Sequence, residues 1–387
     1  MTATPATEPH PTEQQPAEPQ PTAADAEQWH AAHIYYYERD KTALLLDAVR
    51  PLIHDLRAAA PDAYVLRHWR QGPHLRLNIR TDPRTWTTTV QPAIERTIGD
   101  YLAAHPSTAR PDRLAALAQH RFLAQREEER GPLTPWFPDN SIQYVPFDDR
   151  RHVLNDPESV ELLTDFYVDG TPLLFDALEH VRSGHDGAEA VGLGLMLATS
   201  ITALPPITSS FVSYRSHAEG FIAQCADPDA TRARFDAHYR AHRARLTERV
   251  RAVEATLDGD TDVPVPFVAE WADLIATFCD RATPLIAQGK LIQPPAYDAD
   301  KSAQWPSEFH RMMFGNRAYH RAAFENPAFS RYRLLINYTY LHINRLGLTP
   351  PERFRLCHLA ANAVEDVHRL DAVDLVRRFT LAHPNED

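Results

Sequence analysis

The stretch Tyr64-Val65-Leu66-Arg67-His68-Trp69-Arg70-Gln71-Gly72-Pro73-His74-Leu75-Arg76-Leu77-Asn78-Ile79-Arg80 reads as two strands joined by a glycine-containing turn, a β-hairpin. Successive side chains of a strand point to opposite faces, so Leu75, Leu77 and Ile79 form one row while His74, Arg76, Asn78 and Arg80 form the other. The apolar row predicts a core contact. The polar row, together with Arg67, His68 and Arg70 around Trp69 on the first strand, predicts several cations on one sheet surface. An ordinary solvated face is the plainer reading. Like charges facing one another across a sheet repel, however, and an anionic or carbonyl-rich ligand would resolve that conflict.

Working outward, residues 31–37 form an aromatic, β-favouring run that predicts another strand. A helix is expected from Lys41, with Leu45, Val49, Leu52 and Leu56 on one stripe and a kink or restart at Pro51. Residues 1–28 contain no Leu, Ile, Val, Phe, Tyr or Trp and are rich in Pro, Ala, Thr, Glu and Gln, the composition of an acidic disordered tail. Beyond Pro83 the pattern is helical almost to the end. Asp156-Pro157 and Thr171-Pro172 mark helix starts, since proline is tolerated in the first turn, and Thr349, Pro350 and Glu352 supply a capping box for a helix through the 360s. Residues 121–153 look irregular. The expected fold class is α+β, a small N-terminal antiparallel sheet packed on a larger helical body, with residues 29–387 as one domain after the tail.

Composition narrows the function. Forty Lys and Arg against 52 Asp and Glu give a net charge of -12, the wrong sign for a surface that neutralises nucleic-acid phosphates. Cys225, Cys279 and Cys357 are scattered and odd in number, which fits neither a disulfide framework nor a zinc site. No run reaches the roughly 18–20 apolar residues of a membrane span, and no signal-peptide pattern opens the chain, so a cytoplasmic protein is expected. Gly192 and Gly194 lie inside a helical stretch and form no phosphate loop; His238 and His242 lack the third ligand and the Glu of a zinc hydrolase. Neither nucleic acid, membrane nor metal is an expected partner.

Two further clusters could carry chemistry. Ser213, Arg215, Ser216, His217 and Glu219 follow the turn at residues 208–210, where a loop-to-helix junction would gather free helix N–H groups, a guanidinium and an imidazole. A capped helix with an exposed polar first turn explains the same residues. Asn337, Tyr338, Tyr340, His342, Asn344 and Arg345 lie along a largely apolar helix, where burial would shift pKa values, although a satisfied core residue is the commoner meaning of a buried Tyr or His.

Trp29 with His33-Ile34-Tyr35-Tyr36-Tyr37, then Leu66-Arg67-His68-Trp69-Arg70, His74-Leu75-Arg76-Leu77-Asn78, the segment from Ser213 to Glu219 and Asn344-Arg345-Leu346-Gly347 together resemble the C-terminal domain of lantibiotic dehydratases. Standalone versions occur in thiopeptide biosynthesis. The resemblance implies one of two activities: elimination of glutamate from glutamylated Ser or Thr, or pyridine formation from two dehydroalanines. Elimination domains carry a His four residues before the Asn-Arg pair. Here that position is Tyr340, and His342 stands two residues before Asn344. A phenol of reference pKa about 10 is no near-neutral proton carrier but can stabilise an iminol tautomer. The tyrosine run and the His-Trp-Arg run are similar to those of pyridine synthases.

The resemblance therefore implies a cyclase acting on a ribosomal precursor peptide, leader plus dehydrated core, beside dehydratase proteins of the same pathway and without a cofactor. Tyr340, His342, Tyr36, Ser213 and His217 are the expected catalytic residues. Arg67, Arg70, His74, Arg76, Asn78 and Arg215 are the expected substrate-binding residues. A glutamate-eliminating lyase and a non-catalytic peptide-binding subunit remain the alternatives.

Overall fold

The computed structural model describes residues 26–154, 156–293 and 296–385; apart from its last three residues, the tail expected over residues 1–28 lies outside the described residues. Four strands, β1 (Gln28–Tyr35), β2 (Asp62–His68), β3 (His74–Thr81) and β4 (Ser141–Val145), form an antiparallel sheet in the order β2-β3-β1-β4. The hairpin is as expected from its alternation. Its turn uses positive φ at Gln71 and Gly72, 59° and 112°, and a Cβ on Gly72 would stand 2.8 Å from Tyr37 Oη, so glycine is required there. The edge strand β4 is a correction: its residues lie in the segment read as irregular, because five residues, four half-buried and one exposed, carry too short an alternation to register.

Helices fill the rest: α1 (Gln91–Ala104), α2 (Arg113–Arg126), α3 (Pro157–Asp169), α4 (Thr171–Arg182), α5 (Ala188–Ala203), α6 (Val212–Ile222), α7 (Pro228–Asp258), α8 (Val268–Ala287), α9 (Pro327–Arg345) and α10 (Pro350–His368), with shorter ones between and after them. Prolines open α3, α7, α9 and α10, where their missing N–H removes no helical bond. Thr349 N donates to Glu352 Oε2 at 2.8 Å, closing the expected capping box. The junction expected before Ser213 is corrected: residues 207–210 are already helical and only Phe211 separates them from α6.

Helix α5 is apolar on all sides and sits at the centre of the helical body, against α7, α8, α9 and α10. Gly192 belongs to this packing, since a Cβ there would come within 3.0 Å of Leu348 Cδ1. The sheet turns Ala32, Ile34, Val65, Leu75, Leu77 and Ile79 into the same continuous core. No single helix among the described residues is long and apolar enough to cross a membrane.

A buried guanidinium reinforces the joint between sheet and helices. Arg345, 2% exposed at the end of α9, donates from Nε to Val65 O at 2.9 Å, from Nη1 to Tyr167 O at 3.2 Å and from Nη2 to Thr171 Oγ1 at 2.5 Å. It thus ties β2 to α3 and α4. In return Arg67 Nε donates to Arg345 O at 2.9 Å.

Candidate functional site

Pairing places His33 opposite Arg76 and both Tyr35 and His68 opposite His74, so these side chains share one sheet face. The rings of His33 and His74 stack with centroids 4.6 Å apart; Tyr35 lies 4.7 Å and His68 5.3 Å from His74. Burial, aided by Arg76 and Arg70, pushes His33 down to about 3, and burial holds His68 and His74 well below the ordinary imidazole value. Neutral rings stack where imidazolium ions would repel. Burial also pushes the Tyr35 phenol up to about 12. Beside this ladder lies a cleft of about 450 Å³, lined by His33, Tyr35, Arg70, Phe137, Phe147 and Asp148 among others, a volume within the range of small-ligand sites. Asn78 is buried on the same face, opposite Ala31 and Tyr64.

The guanidinium groups of this face have internal partners. Glu129, its side chain 1% exposed, receives Arg150 Nη1 in a close ion pair and His68 Nε2 at 3.3 Å, with Arg70 Nε and Arg76 Nη2 each at 3.9 Å. Asp148 lies 3.6 Å from Arg76 Nη1. The charge conflict expected from the sequence is therefore answered in part by the chain itself. Glu129→Gln is expected to lower stability by about 3 kcal/mol, because buried Arg76 keeps its charge with one partner fewer. Denaturant midpoints check this, and an unchanged midpoint would mean that desolvation of the carboxylate cancels its attraction.

Two expected site residues lie away from this face. Arg67 stands opposite Leu75 and so occupies the core-side face, bonded to the end of α9. Tyr36 follows the end of β1; its Oη donates to His105 O at 3.2 Å, and the Lys41 ammonium stands 6.0 Å from its ring. The alternation that separates Leu75 from Arg76 also separates Tyr36 from Tyr35 and Arg67 from His68. Applied to β1, the same rule selects His33 and Tyr35 beside His68, the signal that a reading by residue type overlooked.

The late helix divides its two candidates. Residues two apart on a helix point about 200° from one another, so Tyr340 and His342 leave α9 on different sides. His342 is fully buried, its ring 4.5 Å from that of Trp271, with neither nitrogen hydrogen-bonded among the described residues. It therefore packs against Trp271, on a different side of α9 from Tyr340 and its partner. Tyr340 Oη instead meets His217 Nδ1 at 2.8 Å and Cys357 Sγ at 3.4 Å, which brings together two residues that lie 123 positions apart. Burial pushes His217 down to about 3, helped by Arg353, His310 and Arg333, yet its ring stays partly exposed.

Ser213 and Arg215 face other partners than His217 does. Ser213 Oγ lies 2.5 Å from Tyr332 Oη in a buried hydroxyl chain with Ser200 and Tyr214. Arg215 Nη2 donates to Asn362 Oδ1 at 2.6 Å and Glu365 Oε2 at 2.5 Å, which ties α6 to α10. Both are absorbed by structure.

The cleft lining does not include Tyr340, His342, Ser213 or His217, so the expected substrate-binding and catalytic residues do not all fall in one cleft but in two regions. Glu127 stands between them. Its Oε2 accepts from Trp69 Nε1 at 3.2 Å, and burial raises its carboxyl pKa against the pull of Arg150, Arg353 and Arg76, groups drawn from both regions. Glu127, Glu129, Asp148 and Arg150 lie in the segment read as irregular, and Arg353 is one of two arginines on α10. No spacing rule marks any of them.

The lantibiotic biosynthesis dehydratase C-terminal family model matches residues 29–364. The chain belongs to that family. Among solved structures it is similar to the pyridine synthase TbtD from thiomuracin biosynthesis, with 36% identity, 88% of this chain and 99% of that one covered and a TM-score of 0.73. It shares its fold with TsrL at 22% identity, with 94% and 100% of the chains covered and a TM-score of 0.69. Among curated proteins, no sequence matches this one.

Proposed function

We propose that this protein acts in thiopeptide maturation, closing a pyridine ring from two dehydroalanines of a modified precursor peptide by formal 4+2 cycloaddition, with loss of water and the leader peptide. Similarity to a pyridine synthase across nearly the whole chain supports the reaction class. The observation that carries the reading is the contact between Tyr340 and His217, a phenol and an imidazole held together by α9 and α6.

Ring closure needs one dehydroalanine amide as its iminol, stacked on the alkene of the other. Holding two parts of one peptide in register can supply roughly 7–11 kcal/mol of the barrier. The sheet face would clamp the core peptide, with Arg70, which lines the cleft, presenting donors to backbone carbonyls beside its aromatic walls and Arg76 supporting the face from behind. His217 Nε2, free of hydrogen bonds among the described residues, would move the protons of tautomerisation and of water loss, and Tyr340 would fix its tautomer. Addition joins the termini of the two π systems; elimination of water and then of the leader amide, which leaves with a proton, gives the aromatic ring without redox change. Glu129 already fills with a carboxylate the guanidinium cluster that a glutamyl group would need, which favours ring closure over glutamate elimination.

Mass spectrometry of the protein with a dehydroalanine-rich precursor should show loss of water and of the whole leader. Release of glutamate from a glutamyl-Ser peptide, with no change in the dehydrated one, would establish the lyase instead. His217→Gln is expected to reduce turnover by about 10²–10⁴-fold with leader affinity retained. Tyr340→Phe should lower kcat and displace the pH profile through His217. Turnover untouched by either substitution would remove the dyad from the reaction.

A further inference from the structure

Several buried guanidinium groups have acceptors: Arg345 has three, Arg215 two, and Arg76 faces two carboxylates. Arg353 is different. Its Nε is buried with no hydrogen-bond partner, and it forms no ion pair among the described residues. Its guanidinium carbon stands 5.1 Å from the Tyr340 ring centroid and 4.9 Å from that of Phe354. The neighbouring carboxylate of Glu352 is engaged by Thr349 and Arg39, and that of Glu127 by Trp69. Arg333 repeats the pattern on α9, with Nη1 buried and unbonded and its guanidinium 5.3 Å from the Phe324 ring.

Three effects oppose this placement. Arg353 lies in the first turn of α10, at the positive end of the helix dipole. Burial disfavours its charge, and its Nε, cut off from water, lacks an acceptor. Contact with two aromatic faces offsets only part of this. A cation held at such a disadvantage next to the one imidazole bonded to Tyr340 fits a ligand oxygen that the protein itself does not supply.

We propose that Arg353 is a catalytic residue that donates to the carbonyl oxygen of the substrate amide that becomes the iminol, with Arg333 reinforcing the same positive pocket. This deepens the cyclisation reading and rests on it. In the step, the amide N–H bond breaks as its proton passes to His217 Nε2. The nitrogen lone pair forms the C=N bond, and the carbonyl π pair moves onto oxygen, facing Arg353. The oxygen then takes the proton back from the imidazolium. In this assignment His217 Nδ1–H donates to Tyr340 Oη and the Tyr340 proton is given to Cys357 Sγ, which leaves the Nε2 lone pair for the substrate. Charge gained by the oxygen offsets the guanidinium as the proton arrives on the imidazole, so neither ion forms alone.

The test uses the full chain with Arg353→Met, which keeps length and removes charge, and Arg353→Lys, which keeps charge. With the dehydrated precursor, Arg353→Met is expected to lose about 10²–10³-fold in kcat, the loss typical of a removed oxyanion donor, while leader affinity is unchanged and Arg353→Lys recovers part of the rate. Arg353→Met should also melt higher than the wild type, and the His217 imidazole titration followed by NMR should move up. Wild-type turnover in Arg353→Met, or a lower melting temperature with His217 unmoved, would overturn the proposal while leaving the cyclisation reading intact. A wild-type protein that leaves the dehydrated precursor unchanged would overturn that reading, and this assignment with it.

Discussion

Arg345→Ala is expected to destabilise the protein by about 3–5 kcal/mol, the combined effect of a large cavity and orphaned buried acceptors. The guanidinium is 2% exposed and bonds β2, α3 and α4 together from the end of α9. Without it, Val65 O and Tyr167 O lose their side-chain donor at the seam between sheet and helical body. Arg345→Lys should recover little, because an ammonium cannot reach three acceptors lying in different directions from a planar fork. Thermal and denaturant unfolding measure the loss. A midpoint within error of the wild type would mean that burying the charge already cancels its hydrogen bonds. The consequence for function is indirect: Arg67, bonded to Arg345 O, and Gly347, whose added Cβ would meet the Arg67 guanidinium at 3.4 Å, belong to the same joint. The Asn344-Arg345-Leu346-Gly347 stretch thus carries a structural role, and its replacement should disturb the relative placement of the cleft and the Tyr340–His217 pair.

Acid should unfold this protein early. His33 and His217 are pushed down to about 3 and His310 to about 4, and His68, His74 and His342 lie well below the ordinary value, in each case chiefly through burial. In the unfolded chain each takes a proton as pH falls through about 6.5, whereas the folded protein refuses it until its own lower pKa is reached. The unfolded state therefore binds more protons, and stability falls with pH, by about 1.4 kcal/mol per pH unit for each such histidine. Even three acting in full would remove about 4 kcal/mol between pH 6 and 5, a large share of a typical stability of about 5–15 kcal/mol. Their contribution is complete above pH 6.5 and is lost from there downward. Melting temperatures across pH 7.5 to 4 should show a steep decline, with several protons taken up on unfolding. A flat profile between pH 7 and 5 would show that these imidazoles are already open to water. His342→Asn or His342→Leu should flatten the decline by one histidine's share without altering turnover, in keeping with its separation from the dyad.

Elements governed by neighbours in the chain were legible in advance. The hairpin followed from alternation and a glycine turn, helix starts from proline at the first turn, and the last capping box from Thr349 and Glu352. Strand β4 was not, since its five residues gain their strand character by pairing with β1, a partner over one hundred residues away. The site was legible in its residue types and only partly in its grouping. His74, Arg76 and Asn78 share a face as the alternation requires, Arg70 reaches it from the turn, and Tyr340 and His217 each belonged to a candidate cluster. Ser213, Arg215 and His342 proved to be held by internal partners or by the core.

The sequence by itself determined which side chains each element offers to each side, because the periods of strand and helix are local properties of the backbone. Only the tertiary structure decided who meets whom. Glu129 neutralises the hairpin cations, His217 finds Tyr340 across 123 residues, and Arg353 is left without an acceptor. Charge pairing and desolvation depend on distances in space, which the spacing of residues along the chain does not encode.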